Sequence, residues 1–298
     1  MFLQQLVNGL IIGGIYAMIA VGYTMIYGVI QLINFAHGEI YMIGAFVALV
    51  VSGVLTIYGF SGVSILVLAA LIAVIYAAAY GYTLEKIAYR PLRNSPRLAA
   101  LISAIGMSLF LQNYVLLAQT ADYLPFPELV PQFDFMEPVA HIMGSAELII
   151  LITSAITMIG LTVLIKYTRI GKAMRATQQD MVMARLTGIN VDRVISVTFI
   201  IGSVLAAIAR VLVGSYIGQI NYFIGFMAGV KAFTAAVLGG IGNIPGAALG
   251  GLVLGLAEAM AAGYISSAYE DVFAFGVLVL ILILRPSGLL GKAVKQKV

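Results

Sequence analysis

The sequence contains no cysteine, so disulfides and thiolate metal sites are both excluded. Charge is scarce as well: 9% of the 298 residues are Asp, Glu, Lys or Arg, against 62% hydrophobic ones. A soluble chain of this length needs far more charge to cover its surface. Nucleotide-binding and hydrolytic signatures are missing too. No G-x-x-x-x-G-K-[ST] occurs, because "GLLGKA" at 288–293 lacks the spacing and the hydroxyl residue, and neither H-E-x-x-H nor G-x-S-x-G is present. These absences leave no ATPase motor and no recognisable catalytic triad; no catalytic residue, metal site or cofactor is expected in this chain. The first residues carry no positive stretch ahead of their apolar run, so no cleaved signal peptide is expected.

What is present is hydrophobic length. The mean hydropathy is +1.08, and a bilayer core of about 30 Å needs roughly 20 apolar residues per helix. Residues 9–29 and 40–84 are uncharged, with "YGFSG" at 58–62 as the natural turn in the second run. Further runs cover 98–121, 148–165, 194–230 (interrupted only by Arg210), 232–257 and 272–284. About nine membrane elements are expected, with one or two near 229–263 stopping short of a full crossing. Segments this long make an outer-membrane barrel a weak reading, because its alternating strands are far shorter. The thirty-two glycines suit close helix packing in lipid. The fold class is therefore all-α: a polytopic transmembrane helical bundle.

The loops sort by sign. Residues 85–97 carry Lys86, Arg90, Arg93 and Arg97 against Glu85; residues 166–193 carry six cations against Asp180 and Asp192. The tail has Arg285, Lys292, Lys295 and Lys297 with no acid, whereas 122–147 holds five acids and neither Lys nor Arg. Basic loops stay cytoplasmic. This places 85–97, 166–193 and the C-terminus inside, 122–147 outside, and, by parity, the N-terminus outside. The net charge of +4 is thus a topology signal rather than a nucleic-acid footprint.

Three segments concentrate the chemistry. "QLINFAHGE" at 31–39 puts Gln31, Asn34, His37, Gly38 and Glu39 between two oily runs. Polar residues there are costly and face a cavity or bundle interior. One reading is a helix break lining a route; the other is a short loop and a helix start, with Glu39 favoured by the macrodipole. His37 and Glu39 are two positions apart and diverge on a helix, which disfavours a metal pair.

In "LGGIGNIPGAALGG" (238–251), Gly242, Gly246 and Gly250 recur every four residues, and Gly251 and Gly255 repeat the spacing. Small residues at that interval let helices approach closely, and Pro245 disfavours a continuous helix. A break between two tightly packed half-helices follows. In the basic loop, Thr177-x-x-Asp180 reads as a capping box with Asp in the usual Glu or Gln place, and Gly188 as a C-terminal stop. About ten residues of helix between them, bearing Met181, Met183 and Leu186, are marginal alone in water and need a docking surface, either a protein partner or anionic lipid. Arg210 stands alone in its run, while Lys231 and Glu258 bracket the Gly-rich segment and are able to pair across it.

At these segments the sequence resembles the permease subunits of branched-chain amino acid ABC transporters. The matching stretches are "INFAHGEIYMIGAF" (33–46), "RATQQDMVMARLTGINVDRVISVTFIIGSVLAAIA" (175–209) and "GFMAGVKAFTAAVLGGIGNIPGAALGGLVLGLAEA" (225–259). The resemblance, to the first permease type of the high-affinity importer, spans nearly the whole chain and implies one transmembrane permease domain over 1–298. It implies a paralogous second permease, two cytoplasmic ATPases that bind ATP and Mg, and a periplasmic substrate-binding protein, all at a bacterial inner membrane. Residues Arg175, Thr177, Asp180, Met181, Met183, Ala184, Leu186 and Gly188 correspond in it to the helix that couples to an ATPase. Asn34, His37, Gly38 and Glu39, with Gly239, Gly240, Gly242, Asn243, Pro245 and Gly246, correspond to two interrupted elements flanking the pathway. The family also serves urea, short amides and other small acids, with Leu, Ile and Val the first expectation here. The rival from a different class is an ion-coupled secondary transporter acting alone, with Glu39 or Glu258 as its carrier.

Overall fold

The computed structural model describes residues 2–93, 95–133 and 143–291. Asp134, Glu137, His141 and the three tail lysines lie outside the described residues. Backbone polar groups in a bilayer must be satisfied within the chain, which leaves helices as the answer for runs this apolar. The helices are α1 (Phe2–Ile30), α2 (His37–Ile57), α3 (Val63–Leu84), α4 (Arg97–Ala118), α5 (Ser145–Tyr167), α6 (Arg169–Gln179), α7 (Met181–Leu186), α8 (Val191–Ile217), α9 (Ile224–Gly239), α10 (Ile244–Tyr264) and α11 (Glu270–Leu284). A π-helical turn, Glu85–Tyr89, and a short 3₁₀ turn, Arg90–Leu92, extend α3.

Eight helical stretches among the described residues are long and apolar enough to span a membrane; α9, with 16 residues, is shorter. The partial element expected within 229–263 is thus α9. The expected run 194–230 is corrected: α8 ends at Ile217, Gly218 takes φ +75°, and the chain leaves helix until Ile224. Arg210 does not interrupt α8; it lies fully buried within it.

α1 and α8 are the interior helices. In α1, 83% of the spanning window is buried, and in α8 67%, against 6% for the last span. The apolar side chains exposed on α3, α4, α5 and α11 fit a lipid-facing exterior, because lipid tails are as apolar as leucine. What holds helices together in such a solvent is close packing. α10 shows it on two faces. Gly251 lies so near α1 that a Cβ there would come 2.5 Å from Ala17 Cα, while Cβ atoms at Gly9 and Gly13 would each lie 2.8 Å from the Cα of Leu256 and Leu252. Gly246 and Gly250 instead meet Gly239 and Ala235 of α9. Within α10 the glycines of the two spacings thus serve two different partner helices, while Gly242 meets only Gln178.

The basic segments share one end of the bundle. Arg90 reaches Asp192 (3.0 Å), Gln178 reaches Gly242 (3.4 Å) and Asn243 reaches Leu290 (2.7 Å). The C-terminal end of α1 is there too, with Gly28 against Gln178, so the N-terminus lies at the other end. That opposite end carries a two-residue strand pair, β1 (Leu124–Pro125) with β2 (Gln219–Ile220), capped by a bond from Leu129 N to Ser215 Oγ (2.7 Å).

Candidate functional site

The first chain interruption separates α1 from α2. α1 closes with Gln31 N donating to Tyr27 O (2.7 Å), and Gln31 itself takes φ +54°, a left-handed conformation that costs a non-glycine residue about 1–2 kcal/mol. The chain then turns back into the bundle, so that α2 starts in the interior. Asn34, His37 and Glu39 are all fully buried. Asn34 Oδ1 accepts from the Tyr89 hydroxyl at 2.9 Å, and the Tyr89 ring packs tilted against Phe199 of α8, centroids 5.1 Å apart.

Room for the next three residues comes from glycines on neighbouring helices. The His37 ring lies where a Cβ on Gly22 of α1 would be, within ordinary contact of Gly202 of α8, and it meets the Tyr23 ring edge-on at 4.8 Å. A Cβ on Gly38 would run into the Gly225 carbonyl and come 2.9 Å from Gly229 Cα. Glu39 Oε1 accepts from Ser108 Oγ of α4 at 2.9 Å, and its Oε2 rests against Gly225. The carboxylate thus sits in the first turn of its own helix and beside the first turn of α9, two positive helix ends. His37 and Glu39 point to different helices and share no ligand position.

The second interruption, 240–243, lies at the basic end. Gly240 (φ +102°) and Gly242 (φ +90°) supply backbone conformations that other residues rarely adopt. Asn243 then caps α10, accepting from Gly246 N at 3.3 Å, and Pro245 falls in the first turn, where its missing N–H costs nothing. The last carbonyls of α9 are met by the tail: Leu289 N donates to Leu238 O (2.9 Å) and Leu290 N to Gly239 O (3.1 Å). Asn243 Nδ2 in turn donates to Leu290 O. This break packs on α6 and the tail, whereas Gly38 and Glu39 of the first pack on the N-terminal turns of α9.

In the basic loop the expected capping box is corrected. Thr177 lies inside α6, its hydroxyl donating to Ala173 O (2.8 Å), and the helix breaks at Asp180. Asp180 is itself the cap of α7: its Oδ1 accepts from Val182 N (2.8 Å) and Met183 N (3.0 Å). The physical reason is range, since a carboxylate bonds the amides two and three residues on more readily than it reaches back. Two short helices therefore replace the single one expected. The stop at Gly188 holds, with φ +84° and paired bonds from Gly188 N to Arg185 O and Ile189 N to Ala184 O, both 3.0 Å. Ala184 is buried and Met181 half-buried, while Val182, Met183 and Leu186 are 66%, 60% and 77% exposed. Arg175 folds back onto the carbonyls of Ile165 and Lys166, at 3.0 and 3.1 Å.

A family model described as "Branched-chain amino acid transport system / permease component" matches residues 5–282. The chain belongs to the branched-chain amino acid transport permease family. The permease is 50% identical over 304 residues to the high-affinity branched-chain amino acid transport system permease protein LivH of Escherichia coli K12, covering 100% of this chain and 98% of that protein. It is also 50% identical over 301 residues to the corresponding protein BraD of Pseudomonas aeruginosa, with the same coverage. A more distant relative, the probable branched-chain amino acid transport permease protein LivH of Methanocaldococcus jannaschii, is 24% identical over 306 residues, 97% of this chain and 92% of that one.

Three features of the permease escaped or exceeded the sequence reading. Lys231 pairs with Glu258 across the α9–α10 hairpin, as the spacing allowed, but it also gathers Asp271 (2.7 Å) and Glu270 (3.6 Å) from the start of α11. Among the described residues these three carboxylates are the one group close enough to hold a metal ion, and the Lys231 ammonium already occupies the position of the cation. Arg210 is fully buried with no acid partner among the described residues; it donates to Tyr41 Oη (3.4 Å) and Gln219 O (3.3 Å) and faces the Tyr41 ring. Gln178 went unremarked, yet it touches both Gly28 at the end of α1 and Gly242 in the second break. Only its place two residues before Asp180 hinted at it.

Proposed function

We propose that this chain is a permease subunit of an ATP-driven, binding-protein-dependent importer of branched-chain amino acids in a bacterial inner membrane. In this reading the basic end is cytoplasmic and the N-terminus and strand pair lie outside. The observation that carries it is α7: a rigidly capped six-residue helix at the basic end, with Val182, Met183 and Leu186 uncovered. Apolar side chains held out in this way gain by burial in a partner's groove. The partner is an ATPase subunit, two of which bind ATP and Mg and serve this chain and a second permease. A binding protein delivers substrate outside, and the cargo passes between the two permeases.

Movement of α7 is relayed through Gln178, which sits between the end of α1 and the 240–243 break, so both interruptions feel it. Asn34, His37 and Glu39 brace the first break, with helix contacts on every side. An ion-coupled mechanism would need Glu39 or Glu258 as its carrier; Glu258 is tied up by the Lys231 ammonium, whereas Glu39 is bonded by Ser108 through one oxygen alone.

The test is co-purification of the ATPase subunits with a tagged permease. Asp180→Lys, which removes the α7 cap, and Gly188→Pro, which cannot adopt the left-handed stop, are expected to lose the ATPases while still inserting. ATPases that co-purify normally with both variants refute the assignment. Uptake by the chain alone in liposomes under an ion gradient, without ATP, would overturn the importer reading as a whole.

A further inference from the structure

A polar cleft of about 350 Å³ opens at the basic end between the extension of α3 and the start of α8. Lys86, Arg90 and Arg193 line it together with Asp192 and Asn190, and its walls include Tyr82, Val197 and Ile200. The acids nearby are already engaged. Asp192 is held by Arg90 (3.0 Å) and Arg93, and Glu85, fully buried, is held by Arg93 and by Ser196 Oγ (2.7 Å). Four cations stand against two carboxylates, and neither Lys86 nor Arg193 has an acidic partner among the described residues. Lys86 is oriented instead by the Tyr82 ring, 5.2 Å from its Nζ.

Depth identifies the ligand. Both walls are the ends of membrane-spanning stretches, Val63–Leu92 and Val191–Ile217. A cleft there lies where lipid phosphates lie, and tyrosine at such an end is the usual interfacial residue. Below the cationic rim the apolar Val197 and Ile200 continue into the span, which suits acyl chains and no soluble anion. Ile87, between the two rim residues of the α3 extension, is 65% exposed, as a lipid-facing residue is. We infer that this cleft binds the phosphate headgroup of an anionic phospholipid, with Lys86 and Arg193 as its free charges. Arg90 is shared with Asp192, so the lipid site and the tie between α3 and α8 are contiguous. A bound headgroup therefore holds the two helices that carry that tie.

The full-length permease, purified in neutral detergent, is titrated with phosphatidylglycerol or phosphatidylcholine and followed by native mass spectrometry. Phosphatidylglycerol is expected to bind in preference. Lys86→Gln with Arg193→Gln weakens it about 30-fold, the loss of two cation contacts to a headgroup. The exchange Lys86→Arg with Arg193→Lys keeps binding and guards against a folding artefact. Lys166→Gln with Arg169→Gln, the same charge loss elsewhere at this end, leaves it unchanged. Equal binding of the two lipids, or indifference to the cleft variant, overturns the proposal. Displacement of phosphatidylglycerol by inorganic phosphate would mark a free-anion site and overturn the lipid assignment. Loss of ATPase co-purification with lipid binding intact would assign the cleft to a protein partner instead.

Discussion

The two chain interruptions are built on opposite plans. At 240–243, freed backbone groups face one end of the bundle, and hydrogen bonds seal them: the Asn243 cap, the Leu289 and Leu290 amides, and Gln178 on Gly242. At 31–36 the chain runs inward and polar side chains are sunk among helices. There the seal is steric, with Gly22, Gly225 and Gly229 making the space that His37, Gly38 and Glu39 fill. The difference follows from solvent. At an end, water competes and the break is held by specific donors; in the interior, each atom must either pair or fit.

The comparison breaks most sharply at Gly38. Replacing it by Leu drives a side chain into the backbone of α9, where no flexible atom can give way, and is expected to cost about 3 kcal/mol or more. Thermal unfolding in detergent and the yield of monodisperse protein measure it. A Gly38→Leu chain as stable as the parent would show that α2 and α9 are not locked together.

Asn243→Ala removes both the α10 cap and the tie to Leu290, with an expected loss of about 1–2 kcal/mol. Asn243→Ser, which keeps a cap but not the reach to the tail, should recover part of that loss in the same melt. No recovery would put the stabilisation in the tail rather than the cap.

Glu39→Gln keeps an acceptor for Ser108 and is expected to change stability by about 1 kcal/mol or less, with uptake within about threefold of the parent. A collapse of uptake at normal protein level would make Glu39 a cargo contact instead of a brace. The smallest effect on stability is expected for Gln178→Ala, whose bond is long and exposed, at roughly 0.5 kcal/mol. Its signature is functional: ATP hydrolysis by the assembled complex persists while substrate moved per ATP falls. Unchanged stoichiometry removes Gln178 from the relay.

Much of this was legible from the chain. The runs at 9–29, 98–121 and 148–165 became α1, α4 and α5, with α1 and α5 longer than their runs and α4 ending at Ala118, because apolar length is a local property. The turn at 58–62 and the stop at Gly188 were readable for the same reason, each being set by a glycine with positive φ. The cap in the basic loop was misplaced by three residues, since Thr177 and Asp180 are both good caps and only the break between α6 and α7 decides between them. The run 194–230 hid the gap at 218–223, because that gap carries no charge, although Gly218, Gln219 and Asn221 stand in it.

The sequence by itself determined the membrane class, the sorting of charge to one end and the existence of both interruptions, because hydropathy, charge and glycine act where they stand. Tertiary structure alone decided which helix each glycine faces, that Lys231 answers three acids, and that Asn34, His37 and Glu39 lie inside the bundle. Those outcomes depend on residues as far apart as Gly9 and Leu256, brought into contact by packing that no local pattern encodes.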